Sequence, residues 1–81
     1  MSKQEKLLHK AKNNPGGLHF SEFITLMKHC GWILDRQKGS HQIWISPKRN
    51  RLPIQDKNGT AKKYQVEQFL LQLELEEQDN A

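Results

Sequence analysis

The stretch Trp32-Ile33-Leu34-Asp35-Arg36-Gln37-Lys38-Gly39-Ser40-His41-Gln42-Ile43-Trp44-Ile45-Ser46 decides the fold. Residues 32–37 and 41–46 read as two short strands, and Gly39-Ser40 is a suitable two-residue centre for the hairpin between them. Pro47 ends the second strand and Lys48-Arg49-Asn50 forms the next turn. Arg51-Leu52-Pro53-Ile54-Gln55 is a short third strand. Proline cannot donate to a ladder, so Pro53 calls for an edge position or a nitrogen that faces outward. Side chains alternate along a strand, so His41, Ile43 and Ile45 share one face and Gln42, Trp44 and Ser46 the other. Periodicity alone leaves open which of the two faces is core.

Working outward, Gly31 is a suitable stop for a helix over 22–30 that begins at a Ser21 N-cap. Phe23, Met27 and Cys30 recur at helical spacing there, with Ile24 and Leu26 beside them. Asn13-Asn14-Pro15-Gly16-Gly17 is a break. Before it, residues 3–13 read as a polar helix with Leu7, Leu8 and Ala11 as its apolar stripe. After the third strand, 56–60 is a polar loop around Asn58-Gly59. Lys63 to about Glu76 is a last helix with Val66, Phe69, Leu70 and Leu73 on one face. The expected architecture is therefore α+β: a three-stranded antiparallel sheet, helices on one face and the other face open for binding. One domain spans 1–81, with 1–14 as an N-terminal helical extension.

Composition narrows the function. Eighty-one residues make one small domain with a thin core. The longest apolar runs, such as Ile43-Trp44-Ile45, have three residues, which excludes a membrane-spanning helix and a signal peptide. The single Cys30 forms no internal disulfide, and a cytoplasmic setting fits. The net charge of +4 is uneven: residues 36–63 carry eight basic groups against Asp56 alone, whereas 64–81 carry a net −5. A basic centre points to phosphate contact, through Arg36, Lys38, Ser40, Lys48, Arg49, Arg51, Lys62 and Lys63. Solvated loop charges are the plainer reading of the same residues.

Four histidines are candidates for acid–base chemistry. His9 lies solvated on the polar first helix, His19 in the linker after a Gly pair and His29 near the C-terminal end of the second helix, and none of the three reads as functional. His41 opens a strand after a tight turn, with Arg36 and Lys38 close by. Nearby cations favour a histidine's neutral, base-competent form. RNA supplies its own nucleophile, the 2′-hydroxyl, so one base and a basic rim suffice in principle. A turn histidine without a role is the alternative. No zinc spacing, paired carboxylates or phosphate loop appear, so no metal or other cofactor is expected.

Gly31-Trp32, Arg36-Gln37-Lys38-Gly39-Ser40-His41 and Trp44 resemble the HicA (YcfA-like) toxins of bacterial type II toxin–antitoxin systems. Leu52-Pro53-Ile54-Gln55, Asn58-Gly59 and Ala61-Lys62-Lys63-Tyr64-Gln65-Val66 extend the resemblance to about residues 15–75. The resemblance implies a fold like a double-stranded-RNA-binding domain, in the order α-β-β-β-α behind the extra N-terminal helix. It also implies metal-independent mRNA cleavage with His41 as the catalytic residue. A HicB-like antitoxin would bind the toxin, cover the site and help repress the operon. The resemblance favours the parity with Trp44 in the core and His41 on the open face, where two isoleucines would mark a protein interface. A non-catalytic RNA-binding module and a protein-interaction adaptor are the competing readings.

Overall fold

The computed structural model describes residues 2–78; Asp79, one of the acidic groups in 64–81, lies outside them. Helices α1 (Lys3–Asn13) and α2 (Phe20–His29) precede strands β1 (Ile33–Lys38), β2 (His41–Ile45), β3 (Arg51–Lys57) and β4 (Thr60–Ala61), and α3 (Lys63–Gln78) closes the chain. A single turn of 3-10 helix at Pro15–Gly17 joins the first two helices. The strands form one antiparallel sheet in the order β1-β2-β3-β4.

The fold class is the expected α+β, with one strand more than expected. The loop at 56–60 is a hairpin: Asn58 (φ 53°) and Gly59 (φ 86°) both have positive φ, the pattern of a type I′ turn. β3 therefore runs on to Lys57 and pairs with β4 through Asp56↔Ala61 and Lys57↔Thr60. The Phe20 N–H bonds Gly59 O (2.9 Å) and the Ala61 N–H bonds Leu18 O (3.0 Å), which ties this hairpin to the segment entering α2.

The start of α2 is a second difference. His19, not Ser21, is the N-cap. The Glu22 carboxylate accepts the His19 N–H at 3.0 Å and also the Lys10 ammonium at 2.9 Å. These bonds hold the Glu22 carboxyl below its ordinary range, the backbone bond to His19 first and Lys10 second, with burial opposing. The pair also joins α1 to α2. Leu7 and Ala11 of α1 are buried in the common core, so the N-terminal helix is packed against the rest of the fold.

At its other end α2 stops where expected. Gly31 has φ 86°, the Trp32 N–H reaches Met27 O and the Gly31 N–H reaches Lys28 O, each at 3.0 Å. This is the paired closure of a Schellman motif, which needs a left-handed residue. Trp32 then turns into the core beside Phe69, ring centroids 5.5 Å apart. Phe23 meets Phe69 edge-on at 5.6 Å.

Strand parity follows the favoured alternative. Trp44 is 2% exposed and lies with Leu52 and Ile54 under the helices. His41 is exposed, and Ile43 and Ile45 are half-buried on the uncovered face. Pro53 opposes Ile43. Its nitrogen faces the outer edge of β3, on the same side as the Gln55 N–H, which bonds Gln65 Oε1 of α3 and not β2. α3 is apolar on two sides: Val66 and Phe69 are buried, whereas Tyr64, Leu71 and Leu75 are exposed.

Candidate functional site on the open sheet face

The β1–β2 hairpin places His41. Its Gly39 has φ 61°, and positive φ at the first central residue alone is the type II′ pattern that suits strand twist. Lys38 pairs with His41 and Arg36 with Ile43, so both cations project from the same face as His41. Register shifts between Leu34 and Arg36, leaving Asp35 as the extra residue of a bulge. Arg36, Gln37, Lys38, His41 and Ile43 line a shallow open depression.

On the other side His41 opposes Gln55. Gln55 Oε1 accepts the Lys62 ammonium at 2.6 Å, and Gln55 Nε2 reaches Ser40 Oγ at 3.5 Å. Arg36, Lys38, Ser40, His41 and Lys62 therefore gather at one end of the sheet. Sequence reasoning did not single out Gln55, whose signal was its strand parity with Pro53.

The remaining cations lie elsewhere. Lys48 and Arg49 sit in the β2–β3 turn, and Arg51 opposes Ile45 at that end. His41 and Ile45 are the first and last residues of β2, about 13 Å apart at a rise of ~3.3 Å per residue. Lys63 opens α3, its side chain beside Gly16. The eight residues expected to contact RNA thus form two groups with Lys63 apart.

Glu76 organises the second group, a role that the net charge of 64–81 does not single out. It is 7% exposed and its carboxylate accepts the Lys48 N–H (3.2 Å), Asn50 Nδ2 (3.2 Å) and Gln72 Nε2 (2.9 Å). Burial alone would raise this carboxyl; hydrogen bonds from Ser46, Gln72, Asn50 and Lys48 outweigh that and hold it below its ordinary value. Arg49, with φ 70°, takes the left-handed position in the clamped turn.

The other candidates carry no visible chemistry. His9 is exposed, His19 caps α2, and His29 Nδ1 meets Gln4 Nε2 at 2.8 Å. Cys30 is half-buried at the end of α2, and burial, with Glu77 nearby, pushes its thiol above the ordinary value, which disfavours a reactive thiolate. Among the described residues no cluster of three His, Cys, Asp or Glu side chains is placed to hold a metal ion, and no helix is long and apolar enough to cross a membrane.

Residues 20–75 match the family model described as HicA toxin of bacterial toxin-antitoxin. The chain belongs to the HicA toxin family. The match starts at the first residue of α2 and ends within α3, so it contains the whole sheet, His41 and both groups of cations, and leaves α1 outside. Membership makes the chain the toxin side of a toxin–antitoxin pair and implies a cognate antitoxin. No curated protein and no solved structure matches the chain significantly.

Proposed function

We propose that this HicA-family toxin is an mRNA endonuclease in which His41 is the general base. The neutral imidazole takes the proton of a ribose 2′-hydroxyl. The oxygen attacks the adjacent phosphorus as the bond to the 5′-oxygen breaks, and that oxygen takes a proton from water, leaving a 2′,3′-cyclic phosphate and a 5′-hydroxyl. Charge that builds on the phosphoryl oxygens meets the cations around His41. Arg36, Lys38, Ser40 and Lys62 contact the scissile region. Lys48, Arg49 and Arg51 hold the strand further along the face, and Lys63, at the start of α3, contacts it apart from both groups. A HicB-like antitoxin neutralises the toxin by covering this face, where the half-buried Ile43 and Ile45 and the exposed Ile33 supply an apolar contact. The pair works in the cytoplasm, where mRNA is found.

The observation that carries the reading is the exposed His41 on the uncovered face with Arg36 and Lys38 beside it, in a chain of a toxin family. The experiment is expression of wild type and His41→Ala without antitoxin. Wild type should arrest growth and degrade cellular RNA, and the variant should do neither. Two inert proteins that both bind RNA would make the chain a non-catalytic RNA-binding module.

A further inference from the structure

The cations expected to contact RNA are not held alike. Among the described residues the side chains of Lys38, Lys48, Arg49, Arg51 and Lys63 are exposed and have no hydrogen-bond partner, and Arg36 has only Asp35 at 3.7 Å. Lys62 is half-buried and its ammonium lies 2.6 Å from Gln55 Oε1. That contact is itself anchored. Gln65 Oε1, in the first turn of α3, accepts the Gln55 N–H at 2.8 Å, and the Lys62 carbonyl accepts the N–H groups of Gln65 and Val66 at 3.0 and 3.1 Å. The start of α3 is therefore pinned to β3 at the residue opposite His41.

The pairing sets the distance. The Gln55 N–H is committed to Gln65, so His41 and Gln55 form a pair not hydrogen-bonded to each other across the ladder. In such pairs the Cα atoms are about 4.5 Å apart and the side chains are at their closest. The Gln55 amide has its oxygen on Lys62 and its nitrogen toward Ser40, in the turn that places His41. An ammonium has three donors. One is used by Gln55 and two remain.

We infer that Lys62 is the cation that neutralises the phosphoryl oxygens during cleavage at His41, and that Gln55 is the positioning residue that holds it there. The inference rests on the nuclease reading above and adds a division of labour to it. Exposed lysines and arginines must be immobilised when RNA binds, at a cost in side-chain entropy. Lys62 is ordered beforehand, and an ordered donor costs no reorganisation as charge develops. The exposed cations contribute to RNA affinity, and Lys62 to the rate.

The test is single-turnover cleavage of an RNA oligonucleotide, with RNA affinity and circular dichroism measured on the same proteins. Lys62→Gln should lower the rate by about 10²–10³, the span for loss of one oriented donor, while affinity changes only a few-fold. Gln55→Ala should lower the rate less. The double variant Gln55→Ala/Lys62→Gln should be no slower than Lys62→Gln, because Gln55 acts only through Lys62. A wild-type rate for Lys62→Gln, losses that multiply in the double variant, or a fall in affinity without a fall in rate overturns the inference. If a folded Lys62→Gln cleaves normally while His41→Ala is dead, the inference fails and the nuclease reading stands. If His41→Ala cleaves as wild type does, or wild type does not cleave, both fail.

Discussion

The two ends of the β2–β3 hairpin carry the same kind of charge and hold it differently. At the far end a buried carboxylate, Glu76, fastens the turn through Lys48, Asn50 and Ser46, so the backbone is rigid while the Lys48 and Arg49 side chains reach freely into solvent. At the near end, among the described residues, no acid fastens the β1–β2 turn. Gly39-Ser40 closes it by backbone geometry, and one cation, Lys62, is oriented through an amide. A fastened backbone with exposed, unpaired charges suits gripping a phosphate chain of any sequence. An exposed histidine beside an oriented cation suits chemistry at one phosphate.

That contrast can be broken from either end. The largest stability effect is expected at the far end, because Glu76→Ala leaves several donors without their shared acceptor. Its cost should be about 1–3 kcal/mol, read from urea unfolding, with cleavage per folded molecule preserved. The same carboxyl sets a pH dependence. Its folded value is depressed, so its contribution is complete above the ordinary value of 4.5 and is lost as pH falls through the lower folded value. Glu76→Gln should flatten the acid limb of the stability profile and leave the part due to Glu22, which is depressed as well.

Gly39→Ala probes the near end. A methyl group there would meet nothing within 4 Å, so the penalty is purely that of φ 61° for an L-residue, about 1–2 kcal/mol. Here stability and cleavage should fall together, because the turn places His41. A smaller effect sharpens the comparison. Lys48, Arg49 and Arg51 changed together to Ala should reduce the slope of log affinity against log salt by about 2, at ~0.7 per phosphate contact on a single strand. The cleavage rate at saturating RNA should hold. An unchanged slope would move the RNA path away from the far end.

Much of this was legible in residue order. Alternation in His41-Gln42-Ile43-Trp44-Ile45 and the Gly39-Ser40 centre set the hairpin and the two faces, because period and turn chemistry are local. Gly31 marked the end of α2 for the same reason. Three features depend on partners distant in the chain. Asn58-Gly59 looks like a loop until the segment at Leu18–Phe20 gives the two-residue β4 something to join. Ser21 looks like the better cap until Glu22 is seen bound to Lys10 and the His19 N–H. Glu76 looks like one more tail charge until α3 carries it over the β2–β3 turn. The site divided in the same way: His41, Arg36 and Lys38 lie close in sequence and were found together, whereas Gln55 reaches them only across the sheet.

The central claim is that His41 performs the chemistry, and the direct measurement is cleavage of RNA by purified wild type and His41→Ala, with RNA affinity measured in parallel. The variant should cleave about 10²–10⁴ times more slowly, the span for a positioned acid–base group. It should bind RNA as tightly and unfold within about 0.5 kcal/mol of wild type, as expected for an exposed residue. Wild-type products should end in 2′,3′-cyclic phosphate. A variant that cleaves as fast as wild type, or wild-type products formed equally from DNA of the same sequence, would contradict the claim.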